Sequence, residues 1–423
     1  MTSFRFRRVE PDKATALGSA TLDDATLAAA GAIVRDVQKR EESALREHAQ
    51  RLGDLAPGAQ LAYERVDLEA ARDALPQDTR DLLERAADRI AAFARAQRNC
   101  LRELTTDVPG GQAGHTIRPV HTAGCYAPGG RYPLPSSVLM TAVTARTAGV
   151  QQVVVASPRP SNVTLASAAI AKADRFLAAG GAQAIAALAF GAGSIPPCDV
   201  VVGPGNRWVT AAKQIVAGRV AIDMLAGPSE LVVLADSTGD PPRIAADLLA
   251  QAEHDADALP ILVTWDLDLI ARVEREIDAQ LANLPTADVA RLALHNGFAV
   301  PVATMSESIA VCDRLAPEHL SLHVRDAEQV MRQVRNYGAV FVGAQSGEVF
   351  GDYGLGPNHV LPTGGTSRAF GGLSVLTFLR VRTWLRLDDV AATTVHDVAA
   401  LARLEGLEAH ARSAEARTPA PAT

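Results

Sequence analysis

From about residue 118 onward, short β-branched runs without polar alternation recur between stretches of helical sequence. This constrains the fold more than any other feature of the chain. Val153-Val-Val-Ala156, Val200-Val-Val202, Leu231-Val-Val-Leu234, Ile261-Leu-Val-Thr264 and Ala339-Val-Phe-Val342 lack the two-residue period of a strand with one wet face. They read as strands buried on both faces. Arg207–Ala217, Ile244–Glu253 and Leu267–Leu281 read as the helices between them. Such alternation predicts an α/β protein with parallel, doubly wound sheets, and there is enough of it for two sheets. No short-period repeat is visible. The first hundred residues read as helices, with Leu82, Leu83, Ile90 and Phe93 at helical spacing. From about residue 373 the pattern returns to helix, and the chain closes on Thr418-Pro-Ala-Pro-Ala-Thr423, a composition expected to be disordered.

At 423 residues the chain exceeds one ordinary core, so two or more units are expected. A net charge of −7 and 4% aromatics argue against a nucleic-acid surface. The longest apolar stretches are broken before they reach a bilayer-spanning length, and the basic N-terminus has no apolar region behind it. Neither a membrane nor a secretory route is expected. Cys100, Cys125, Cys198 and Cys312 are widely spaced and form no C-x-x-C pair. Reduced thiols in a cytoplasm fit them better than disulfides or a cysteine zinc site.

Chemistry concentrates in a few dispersed places. Pro241-Pro242 starts a helix well, with Ile244, Leu248 and Ala252 as its buried stripe. Gln251 and His254 then lie three apart near its end and can reach one point, as metal ligands or as a polar helix end. Glu318-His319 follows Ala316-Pro317; in a loop or first helical turn both side chains can line a cleft, although surface pairs of this kind are common. Asp352 lies in the glycine-rich Glu348-Val-Phe-Gly-Asp352-Tyr-Gly-Leu-Gly-Pro-Asn358-His359, where it reads as a ligand or as an Asx turn, with His359 in a supporting role. On one unbroken helix Glu405 and His410 point about 140° apart, so Gly406 must bend the chain if both face one site. Tyr126-Ala-Pro-Gly-Gly-Arg131 and Gly203-Pro-Gly-Asn206 are glycine turns, and neither is the G-x-G-x-x-G dinucleotide fingerprint. A turn between strand and helix still offers N–H groups to a phosphate.

Taken in order, these segments resemble the histidinol dehydrogenase family from about residue 20 to 412. The most specific are Tyr126-Ala-Pro-Gly-Gly, Gly180-Gly-Ala-Gln183, Val202-Gly-Pro-Gly-Asn206, Ile222-Asp-Met-Leu-Ala-Gly-Pro-Ser229-Glu, Gln251-Ala-Glu-His254, Ala316-Pro-Glu318-His319-Leu and Asn358-His-Val-Leu-Pro-Thr363. The resemblance implies two Rossmann-like domains, one inserted in the other, with helical N- and C-terminal segments. The boundaries expected are an N-terminal segment 1–20, a first domain of 21–125 plus 230–372 with the metal and catalytic residues, a second, NAD-binding domain 126–229, and a tail 373–423 exchanged in a homodimer. It implies one Zn²⁺ per subunit on Gln251, His254, Asp352 and His410, acid/base work by Glu318 and His319, and NAD contacts at Tyr126, Gln183 and Asn206. Substrate contacts fall on Ser229, Gln251, His254, His319, Asp352, Glu405 and His410, in an active site shared between subunits.

The implied reaction is oxidation of L-histidinol through L-histidinaldehyde to L-histidine. Two imidazoles, a carboxylate and an amide oxygen suit Zn²⁺. Neutral His319 could take the alcohol proton, and Glu318 could activate water against the aldehyde. Two segments depart from the family. The link Arg131-Tyr-Pro-Leu-Pro-Ser-Ser137 lacks the usual alanine, and Phe370-Gly-Gly-Leu-Ser-Val375 with Val381-Arg-Thr-Trp384 is closer to sulfopropanediol dehydrogenases. Gly227-Pro-Ser229-Glu230 has the histidinol enzymes' form. The alternatives are a paralogue acting on another small polar alcohol such as a sulfonated diol, and a non-catalytic zinc-binding protein on the same scaffold. The Glu318-His319 pair argues against the second, since binding zinc would not require it.

Overall fold

The computed structural model describes residues 3–15, 22–129 and 133–417. Arg131, the start of the unusual link and the Thr418–Thr423 tail lie outside the described residues. The chain forms two compact units, one of residues 1–96 and 120–378 and a smaller one of residues 97–119 and 379–423.

The larger unit is mixed α/β and holds two six-stranded sheets. The first sheet runs in the order Arg7–Arg8, Phe298–Pro301, Leu259–Thr264, Glu230–Ala235, His319–His323, Ala339–Val342, with parallel pairing throughout. The second runs Ala62–Glu64, Arg175–Leu177, Gln152–Ala156, Thr122–Tyr126, Val200–Val202, Ala221–Ile222. Only its edge strand Ala62–Glu64 is antiparallel. The five predicted runs are all strands. Those at the centre are buried on both faces, because helices cover each side; Ala339–Val342, at an edge, is only half-buried. Each fully buried Val or Leu in these strands contributes about 1.5–3 kcal/mol of apolar transfer.

Helix Pro241–Ala252 follows the expected pattern, with Ile244, Leu248 and Ala252 fully buried against the first sheet. In helix Gln77–Asn99, Leu83 and Ile90 are buried, but Leu82 and Phe93 stay exposed, so its buried stripe is narrower than predicted. Strand pairing differs from the expected grouping of segments. Arg7–Arg8 pair with Phe298–Ala299, so the N-terminal segment belongs to the first sheet. Residue 125 lies inside the second sheet's central strand. Helix Asp24–Arg40 packs through Ala30, Val34 and Val37 onto the same core as Ile185 and Val209, which places it with the second sheet.

The smaller unit corrects the expectation of an all-helical end. Leu379–Leu387 is a nine-residue strand, antiparallel to Gly111–Pro119, which also pairs with Leu104–Val108. The alternation of Arg380, Arg382 and Arg386 with Val381 and Leu385 is strand-like. The helices come later, at Ala392–Leu404 and Glu408–Glu415. Gly406, at φ +76°, makes the break predicted between Glu405 and His410.

Cys125, Cys198 and Cys312 are buried and form no disulfide. Among the described residues no helix is long and apolar enough to cross a membrane.

Candidate active site at the amino ends of the first sheet

Central strands Glu230–Ala235 and His319–His323 lie side by side, with Leu231 opposite His319. His319 therefore opens a strand, not the loop or helical turn expected, whereas Glu318 occupies the loop just before it. Ala316, in the left-handed region at φ +47°, and Pro317 turn the chain into that strand. Both side chains are buried. His319 Nδ1 faces the Glu230 carbonyl at 3.3 Å. A carbonyl can only accept, so the proton sits on Nδ1 and leaves Nε2 with a free lone pair. His319 Nε2 has no hydrogen-bond partner and lies 3.8 Å from Asp352 Oδ1. Burial lowers its pKa to about 4, which keeps the imidazole neutral.

Glu318 Oε2 accepts from the Glu230 N–H at 3.0 Å, and Ser229 adds a side-chain hydrogen bond. Burial, then the neighbouring charges of Glu230 and Asp352, pushes the Glu318 carboxyl well above its usual range. A carboxyl raised in this way holds a proton more tightly than an exposed one.

Gln251 occupies the last turn of helix Pro241–Ala252, and His254 follows two residues past its end. Gln251 Nε2 is 3.4 Å from His254 Nδ1, whereas its buried Oε1 has no partner. Asp352 lies in the last turn of the short helix Glu348–Asp352, before the turn at Gly354 and Gly356. This corrects its expected place in a loop. His254 Nε2 is 3.6 Å from Asp352 Oδ2. His359 supports the helix from behind, Nδ1 against the Asp352 carbonyl at 3.0 Å and Nε2 3.2 Å from Ser137 Oγ.

Glu348 was not singled out from sequence, yet it belongs here. Four residues before Asp352, it shares that residue's helix face. Ligand atoms of His254, Glu348 and Asp352 all lie within 4.8 Å of one another. Glu348 is 1% exposed, and neither of its carboxylate oxygens has a partner. Burial raises its pKa, with Asp352 and Glu318 adding repulsion. Its signal in the sequence was the four-residue spacing of the two acids. An imidazole and two carboxylates around one point, with the unpartnered amide oxygen of Gln251 on the side chain next to His254, form a donor set for a divalent cation.

The residues expected at the cofactor lie on the second sheet. Tyr126 ends its central strand, and the hydroxyl accepts from the Gly181 N–H at 3.3 Å. Gln183 Nε2 donates to Asp54 at 2.8 Å, while its buried Oε1 is unpartnered. Asn206 caps helix Arg207–Val216 by accepting from Trp208 and Val209. Gly203 has φ +117°, and a Cβ there would meet the Tyr126 carbonyl at 1.9 Å, so the turn admits only glycine. Glu405 and His410 belong to the smaller unit, where both are exposed.

Known proteins match this chain along nearly its whole length. The family model described as histidinol dehydrogenase covers residues 19–418. A histidinol dehydrogenase from Thermus thermophilus is 48% identical over 84% of this chain and 87% of its own length. One from Haloarcula marismortui is 43% identical over 91% and 92%. The crystal structure of histidinol dehydrogenase from Elizabethkingia anophelis superposes with a TM-score of 0.90 at 30% identity, covering 99% of each chain. The chain therefore belongs to the histidinol dehydrogenase family, a family of oxidoreductases.

Proposed function

We propose that this protein oxidises L-histidinol to L-histidine in two NAD-linked steps, using one zinc ion per subunit. The observation that carries the reading is a neutral, unpartnered His319 Nε2 beside a buried Glu318, next to the metal-type donors of His254, Glu348 and Asp352, of which the buried Glu348 carboxyl has no partner. In this reading Gln251, His254 and Asp352 hold the zinc, with His410 from a second copy of the chain, and Glu348 is close enough to join them. Zinc bound there supplies a Lewis-acidic anchor for the substrate's amine and imidazole nitrogens, and NAD supplies a hydride acceptor. His319 Nε2 takes the proton of the alcohol in the first oxidation. Glu318 then removes a proton from water that adds to the aldehyde carbon, and His319, having released the first proton to solvent, takes the hydrate's proton in the second oxidation. Ser229 holds Glu318 in line, and Glu405 lines the substrate pocket with His410.

The orphaned Gln183 Oε1, the Tyr126 hydroxyl and the Gly203–Asn206 turn at a helix N-terminus suit a dinucleotide. Both sheets are read as Rossmann-like domains. The second is inserted between the strands of the first, with boundaries adjusted to the strand pairing. A homodimer and a cytoplasmic setting complete the reading. The dimer is supported by apolar side chains left exposed in the smaller unit, among them Val381 at 64%, Leu385 at 63% and Leu404 at 85%.

A sulfonated diol is the competing substrate class. Three buried carboxyls, Glu318, Glu348 and Asp352, favour a cationic amino alcohol over an anionic sulfonate. Comparing kcat/KM for L-histidinol and sulfopropanediol tests the choice. A preference for the sulfonate would overturn it.

A further inference from the structure

Glu230 is the first residue of the first sheet's central strand and is 5% exposed. Its polar groups turn toward the acid/base pair. The N–H donates to Glu318 Oε2 at 3.0 Å, and the carbonyl accepts from His319 Nδ1 at 3.3 Å. Its carboxylate Oε1 accepts from the Glu318 N–H at 3.3 Å and the Gly364 N–H at 2.9 Å. Glu230 and residues 318–319 are thus cross-linked in both directions. Nothing in the reaction requires a fourth carboxyl there, and a buried carboxyl without a task would be costly. We propose that Glu230 is the positioning residue of the acid/base pair: it aims Glu318 and locks His319 into the tautomer with Nε2 free.

The backbone contacts alone do not secure this geometry, because they depend on residues 318–319 staying against residue 230. The side chain supplies that restraint by holding the Glu318 N–H, and it ties the Gly364 turn to the same point. That turn in turn follows Thr363, whose Oγ1 accepts from the Gly227 N–H at 2.6 Å. The titratable and charged groups facing Glu230 and Glu318 are Arg368 on the adjoining turn, Asp352, Glu348 and His319. Burial pushes the Glu230 carboxyl up to about 7, so an amide is a fair replacement for it.

The inference rests on the proposed acid/base roles, and its test separates the two. Zinc-loaded protein with ¹⁵N-labelled histidine reports the His319 tautomer, assigned with His319→Asn. The wild type should show Nδ1 protonated and Nε2 bare. Glu230→Ala should mix the tautomers and lower kcat in both half-reactions about tenfold to a hundredfold, with metal content and NAD affinity unchanged. Glu230→Gln, which keeps an acceptor, should recover most of the rate. Glu230→Asp keeps the charge but withdraws the acceptor, so it should lose more than Glu230→Gln. A single tautomer and full kcat in Glu230→Ala, or Asp outperforming Gln, would overturn the proposal. If the tautomers behave as expected but the wild type does not oxidise histidinol, positioning stands and the functional reading fails.

Discussion

The two sheets share one strand order and use opposite edges. Setting aside the N-terminal edge strand of each, Arg7–Arg8 and Ala62–Glu64, the first of the remaining five strands lies at the centre, the second and third extend to one side, and the fourth and fifth to the other. Ligands in such sheets gather outside the carboxyl ends of the strands, where the order reverses. The second sheet fits: Tyr126 ends its first parallel strand, and Gly203 follows its fourth. In the first sheet Glu230 and His319 stand at the amino ends of the corresponding strands. Gln251 arrives at that edge because helix Pro241–Ala252 runs back to it. The chemistry differs as well. The second sheet offers a glycine turn, an amide and a phenol, whereas the first gathers buried carboxyls and imidazoles, among them the unpartnered Glu348 carboxyl and His319 Nε2. Topology alone would locate the proposed cofactor contacts, while the proposed reacting groups must be found from their burial and missing partners.

The largest effect separating the edges should come from metal removal. Rigorously metal-free protein should lose turnover, while NAD affinity measured by calorimetry stays within a few-fold. Full activity without metal would erase the distinction.

Next in size are the acid/base variants. His319→Asn should slow both half-reactions by roughly 10²–10⁴-fold, since each needs a proton transfer. Glu318→Gln should slow mainly the aldehyde-to-acid half, followed with supplied aldehyde. Equal losses in the two halves for Glu318→Gln would refute its role with water.

A mixed dimer asks whether the first sheet's edge needs a second copy of the chain. One Glu318→Gln chain paired with one His410→Ala chain, isolated through two tags, should regain about half the wild-type activity if His410 acts in trans with independent sites. No recovery above the parental mutants would place His410 in cis.

Much of this contrast was legible in the sequence, and the rest had physical reasons to stay hidden. Continuous apolar runs mark buried strands, and the Pro-Pro start with its apolar stripe marks the helix carrying Gln251. Glu348 escaped because an acid in a short segment reads as solvated until its burial is seen. The strand Leu379–Leu387 escaped because most of its side chains are exposed, so no buried periodicity announces it. The Glu318-His319 pair was found by type, but His319 was misplaced by element, since a strand's first residue has the sequence of a loop.

The smallest effect is on stability in the metal-free protein. His319 has a folded pKa of about 4, below its ordinary 6.5, because of burial. The unfolded chain therefore takes up a proton that the native imidazole refuses, and stability falls as pH drops from 6.5 to about 4. This one group is worth on the order of 1–3 kcal/mol. Urea unfolding at pH 4.5 and pH 7 should show a smaller acid loss for His319→Asn than for the wild type. An equal loss would mean that His319 is solvated or charged in the native state.

The central claim is that one site at the amino ends of the first sheet carries out both oxidations. Purified, zinc-loaded protein incubated with limiting L-histidinol and excess NAD tests it most directly. The account predicts L-histidine as the product, with two NADH formed per histidinol consumed and little free aldehyde. One NADH per substrate with accumulating aldehyde, or no NADH at all, would contradict it.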